Sequence, residues 1–206
     1  MSVRYAELHH VNMFTTRLEE MKRWYERVLG MEDVFAAPFA AWMSNDRANH
    51  RLALTALPRL ENDGEKRVHA RVHHIAFEYG SFDDLNASFV RLRDEEGIVP
   101  RACLDHGMTF SYYYADPDEN YVELQCDVFG DWDASREWMS TSPEFAANPI
   151  GAFVDPDKVA AAAADGVAFD EIRRRVWETD DFRPDELPDM GGPAPHPDDP
   201  PLPVKW

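Results

Sequence analysis

Two doubled histidines stand out for what they could hold: His9-His10 and His73-His74, each inside a short β-forming run, LHHVNMF and VHHIAFE. Further along, Glu123 sits in NYVELQCD between apolar Val122 and Leu124. Neighbours on a strand point to opposite faces, so this acid leaves the face on which its apolar neighbours pack. A carboxylate on an interior face needs a cation, because an unpaired buried charge is expensive. One imidazole from each pair plus this carboxylate give two His and one acid, the set found around non-haem Fe(II) with coordination positions left open. Only one imidazole of each pair can face a shared cavity. Parity does not say which, because both faces of these strands carry apolar residues; the repeat requires the same choice in both halves.

The elements that must position these residues are duplicated as well. After each His pair comes a stretch with apolar residues at helical spacing: Leu18, Met21, Trp24, Tyr25 and Val28 in the first, Phe82, Leu85, Phe89 and Leu92 in the second. Gly30 and Gly97 follow the last periodic residue, where a helix needs a left-handed stop. Strands are expected over Glu32–Phe35, Phe39–Met43 and Arg51–Leu57, then Ile98–Leu104, Thr109–Ala115 and Tyr121–Asp127. Pro38, Asn45-Asp46, His106-Gly107 and Asp116-Pro117-Asp118 mark turns between them. Each half therefore reads β-α-β-β-β. The fold class is α+β: two βαβββ modules, residues 6–60 and 70–127, forming one half-open barrel around a metal site within a domain of 1–127. Residues 128–206 are a Pro/Asp-rich C-terminal extension with short helices. Asp155-Pro156 caps one helix through Ala164, Gly166 stops it, and Phe169–Trp177 offers another. Beyond Arg183 the chain is expected to be extended, packing on its own domain or on a partner subunit.

The repeat is unequal at one informative point. Aligning HRLALTAL (50–57) with NYVELQCD (120–127) puts Ala53 opposite Glu123. The first half then offers a His and no acid, while the second offers both. Three protein ligands result, not four.

Composition removes several function classes. The chain has 206 residues, with 21 Lys and Arg against 39 Asp and Glu, for a formal net charge of −18. Such a body is repelled by nucleic acid and by anionic membrane surfaces. The start (MSVRYAELHH) lacks the apolar stretch of a secretory signal and no apolar run reaches bilayer length, so a cytoplasmic protein is expected. Cys103 and Cys126 lack the spacing of a zinc site and read as buried free thiols.

The segments LHHVNMFT, HRLALTALP, HHIAFE and DHGMTFSYYYADPDENYVELQ resemble the vicinal-oxygen-chelate superfamily. Within it they are similar to the one-domain type I extradiol dioxygenases, which open the ring of catechols and biaryl diols. The resemblance spans residues 6–127, with a looser likeness through NPIGAFVDPD. By that resemblance the second His of each pair, His10 and His74, joins Glu123 as metal ligand, for Fe(II) or Mn(II). It also implies that His50 lies beside the oxygen site as proton donor and that His106 contacts the catecholate. Tyr113 would hydrogen-bond the substrate or the ring-opened oxygen. The interval from His106 to Tyr113 is shorter than in two-domain relatives, and the loop from His50 to His74 is longer. The implied partners are an aromatic diol and O2, and the extended tail points to a homo-oligomer. A glyoxalase-like lyase or isomerase would keep an acid in both halves, and a non-catalytic binding protein of this fold would dispense with the ligands.

Overall fold

The computed structural model describes residues 5–194, 198 and 204–205. The chain divides into two compact units: one runs through Gly64 and takes in Asp116–Asn120, the other holds Glu65–Ala115 and the chain from Tyr121 onward.

The first unit contains β1 (Val11–Phe14), α1 (Leu18–Leu29), β2 (Glu32–Ala37), β3 (Ala40–Ser44) and β4 (Leu52–Thr55). Its four-stranded sheet has the order β1-β4-β3-β2, with β1 parallel to β4 and the other pairs antiparallel. Helix α1 buries the five periodic residues and ends on Gly30 at φ 64°, as the pattern requires. Tyr25, fully buried in this helix, donates its hydroxyl to Asp116 Oδ2 at 3.1 Å. Asp116 also accepts from the backbone of Asp118 and Asn120, so the 116–120 turn is pinned to the first unit. Burial nevertheless pushes the Asp116 carboxyl above the ordinary range.

The second unit repeats the plan with β5 (His74–Tyr79), α2 (Phe82–Glu96), β6 (Ala102–Asp105), β7 (Thr109–Ala115) and β8 (Tyr121–Asp127). Ser81 caps α2 by accepting from Asp84 N, and Gly97 ends it at φ 63°. The sheet order β6-β7-β8-β5 mirrors the first, and β5 runs parallel to β8. This sheet is then extended by β9 (Gly151–Phe153) against β6 and by β10 (Val204–Lys205) against β9. Helices α3 (Trp132–Thr141), α4 (Pro143–Ala147), α5 (Pro156–Ala164) and α6 (Phe169–Glu178) complete the unit. Residues 195–197 and 199–203, part of the stretch expected to be extended, lie outside the described residues.

The strand expected from Ile98 begins only at Ala102. Ile98 N instead closes the end of α2 by bonding Leu92 O, and Pro100 has no N–H to offer a ladder. Among the described residues no helix is long and apolar enough to cross a membrane. Both cysteines are free and buried, and burial pushes the Cys126 thiol up to about 12.

Candidate active site

Strand register decides which side chains share a face. In the second unit, Ala76 pairs with Glu123 and Tyr113 pairs with Glu123 across the other edge of β8. The β7–β8 pairing is continuous from Thr109 to Ala115, with no bulge, so Tyr113 and Glu123 lie on one face. Phe110 and Tyr112 alternate to the other face, where they pack with Phe82 and Phe89 of α2 as core. In the first unit, Asn12 pairs with Ala53 and Trp42 pairs with Ala53. Ala53 therefore holds the same sheet position as Glu123, and the unequal repeat in the sequence is also unequal in the strands.

His74 opens β5 and brings Nε2 to 3.0 Å from Glu123 Oε2. Glu123 is 5% exposed. Burial raises its carboxyl pKa, but hydrogen bonds from His74 and Ser111 outweigh burial and hold it below the ordinary range. Tyr113 packs its ring edge against His74 at 5.3 Å and its hydroxyl lies 2.9 Å from His106 Nε2. Burial and the Glu123 carboxylate push the Tyr113 phenol well up, so it remains protonated.

Main-chain carbonyls settle the histidine tautomers, because a carbonyl can only accept. His106 Nδ1 lies 2.5 Å from Ile150 O and must carry the hydrogen; Nε2 is then a lone pair that accepts from the Tyr113 hydroxyl. Burial lowers the basicity of His106, with Glu123 opposing, which keeps the ring neutral. His73 Nε2 lies 2.6 Å from Met190 O and donates to it. Its Nδ1 is therefore an acceptor for His74 Nδ1–H at 2.7 Å. His74 Nε2 is then the ring nitrogen turned to the Glu123 carboxylate. Side-by-side donors at about 2.1 Å from one ion stand about 3 Å apart, so a cation could take the place of the hydrogen between these two atoms. The pair suits a divalent metal.

The first unit brings His9, His10 and His50 together, with ligand nitrogens all within 4.8 Å of one another. Ring centroids of His10 and His50 are 4.3 Å apart, and His9 Nδ1 is 3.1 Å from His10 Nδ1. Arg51 fixes the main chain here by donating to His9 O. His50 Nδ1 lies 2.8 Å from Asn49 Oδ1; burial, then the neighbouring His10 and His9, lower its basicity. His69 stands apart, exposed and 3.8 Å from Glu65.

Sequence reasoning did not single out Ile150, Met190, Asp105, Arg173 or Trp177. Asp105, fully buried, accepts from Arg173, Trp177 and Gly107 N immediately beside His106. An acid next to His106 and a helix carrying Arg173 and Trp177 were visible as separate facts; their meeting was not.

These two sheets, with matching order and register, define a duplicated βαβββ protein. The profile of the Glyoxalase/Bleomycin resistance protein/Dioxygenase superfamily matches residues 7–124, and the chain belongs to that superfamily. It is 34% identical over 171 residues to biphenyl-2,3-diol 1,2-dioxygenase 2 of Rhodococcus globerulus, covering 82% of this chain and 87% of that protein. It is 35% identical over 170 residues to biphenyl-2,3-diol 1,2-dioxygenase 3 of the same organism, covering 82% and 88%. Among solved structures, a glyoxylase/bleomycin resistance protein/dioxygenase domain from Frankia sp. EAN1pec superposes with a TM-score of 0.50 at 16% identity, covering 60% of this chain and 99% of that one. That likeness concerns the fold.

Proposed function

We propose that this chain is an extradiol dioxygenase that cleaves the ring of a catechol or biaryl 2,3-diol beside the diol, using O2 and a divalent metal, Fe(II) or Mn(II). The observation that carries the reading is Ala53 at the sheet position of Glu123. A half-site without an acid leaves three protein donors, His10, His74 and Glu123, and so leaves positions for a diol and oxygen. A lyase of the glyoxalase kind would fill the Ala53 position with a fourth donor. The two dioxygenases above, alike over most of their length, support the same reading.

Once bound, the ion would acidify the diol and hold it beside O2, supplying proximity that would otherwise cost several kcal/mol. The chain's own residues handle protons and orientation. His106 presents a lone pair at Nε2, and the Ile150 carbonyl on Nδ1–H stabilises the ring when that lone pair takes a proton from a diol hydroxyl. Tyr113, protonated throughout, gives up its hydrogen bond to His106 Nε2 when that nitrogen takes the diol proton, and turns its hydroxyl hydrogen to the substrate oxygen or to the oxygen of the opened ring. His50, kept neutral by burial and by His10 and His9, can accept a proton near the oxygen and return it. The test joins metal analysis to oxygen uptake with a panel of 3-substituted catechols, following the yellow 2-hydroxymuconic-type product. Stoichiometric metal with oxygen consumed and yellow product formed supports the proposal. Metal-loaded protein that consumes no oxygen with any catechol overturns it.

A further inference from the structure

We propose that Arg173 is a positioning residue for His106, which makes the segment beyond Asp127 a working part of the site. The inference rests on the assignment of His106 to the substrate. His106 sits in the turn between β6 and β7, and Arg173 on α6 grips that turn on both sides of it. Arg173 Nε donates to Asp105 Oδ2 at 3.0 Å and Nη2 to Asp105 Oδ1 at 3.3 Å; Nη2 also donates to Gly107 O at 2.8 Å. Trp177 Nε1, one helical turn further, adds a hydrogen bond to Asp105 Oδ2 at 3.1 Å, and Gly107 N closes on Oδ1 at 2.7 Å. The Asp105 side chain is 0% exposed and Arg173 is 20% exposed.

A buried ion pair of this kind is a poor source of net stability, because desolvation of both charges offsets their attraction; what it can supply is a fixed geometry. The geometry fixed here is that of one imidazole. Gly107 has φ 89°, and a Cβ there would lie 2.3 Å from the Trp138 ring. On the other flank Gly151 has φ 103°, and a Cβ there would lie 2.2 Å from Asp105 O and 2.8 Å from His106 Cα. The turn is thus confined by α3, β9 and α6, and Ile150, next to Gly151, provides the carbonyl that receives His106 Nδ1–H. Lysine at 173 would keep the charge against Asp105 but lacks the fork that reaches Gly107 O as well.

The test reads His106 directly in metal-free, 15N-histidine-labelled protein, with its resonance identified by its loss in His106→Gln. The native protein is expected to show a single Nδ1–H tautomer. In Arg173→Ala that signal averages between tautomers, and millimolar methylguanidinium restores it. Arg173→Lys, which is expected to fold, shows an intermediate signal. In the metal-loaded enzyme Arg173→Ala lowers kcat/KM for the diol at least tenfold with metal content unchanged. A native His106 signal in a folded Arg173→Ala or Arg173→Lys variant overturns the proposal, and so does unfolding of both variants, which would make Arg173 a stability residue. If the native enzyme opens no catechol, the ring-cleavage reading falls, while the resonance still decides whether Arg173 orients His106.

Discussion

Replacing His73 by alanine removes two hydrogen bonds at once, one to Met190 O at 2.6 Å and one from His74 Nδ1 at 2.7 Å. His74 keeps its place on β5, but nothing then fixes which of its nitrogens carries the hydrogen or how its ring is turned toward Glu123. Loss of such a partner behind a metal-binding imidazole weakens metal affinity by about 10- to 100-fold, or about 1.4–2.8 kcal/mol. The expected result for His73→Ala is therefore a metal that still binds, one to two orders of magnitude more weakly. Glu123→Ala removes a donor outright, and its metal is expected to be lost on gel filtration. The assay is competition between metal-free protein and a chelator for Mn(II), run in parallel on the native protein, His73→Ala, His74→Ala and Glu123→Ala. Native affinity in His73→Ala would show that the relay from Met190 orients nothing. Complete loss in His73→Ala with retention in His74→Ala would mean that the neighbouring imidazole is the ligand, and the assignment along β5 would be reversed.

Three further outcomes test the fold beneath the site. Gly151→Ala places a Cβ against Asp105 O at φ 103°; backbone strain and overlap together are expected to cost on the order of 3 kcal/mol in urea unfolding, and an unchanged midpoint would contradict the close approach. Tyr25→Phe removes a donor from buried Asp116 while keeping the ring, and should destabilise by about 1–3 kcal/mol by the same measurement. Asp189→Asn releases Arg67, whose guanidinium holds the Asp189 carboxyl below its ordinary range. A depressed carboxyl contributes stability above roughly pH 3.9 that is lost as pH falls through the folded value, so the variant should melt slightly lower at neutral pH and converge with the native protein in acid. Because this pair is half exposed, the difference should stay under about 1 kcal/mol.

The duplicated frame was legible because it rests on local patterns: helical spacing closed by Gly30 and Gly97, and strand runs separated by turn residues. The position of Ala53 against Glu123 was readable because HRLALTAL aligns with NYVELQCD, and in the strands each of the two pairs with the residue two places beyond His10 or His74. Legibility fell where pairing is long-range. Gly151–Phe153 is too short to announce a strand, and it exists because β6 accepts it. Helix α3 begins at a good cap, Asp131, yet among its residues only Ser135 is buried, so no apolar stripe revealed it. At the site, residue types could be read and their restraints could not. The acceptors that settle His73 and His106 are the main-chain oxygens of Met190 and Ile150, which any residue would carry.

Since those two acceptors belong to the backbone, no exchange of side chain at 150 or 190 can delete them. A library randomised at both positions should therefore retain correctly oriented imidazoles in most folded members, proline excepted where it would bend the chain. Steric variety could be introduced there without re-engineering acid–base behaviour, its cost falling on the core cluster of Leu104, Tyr113, Tyr121 and Phe153 against which both side chains pack.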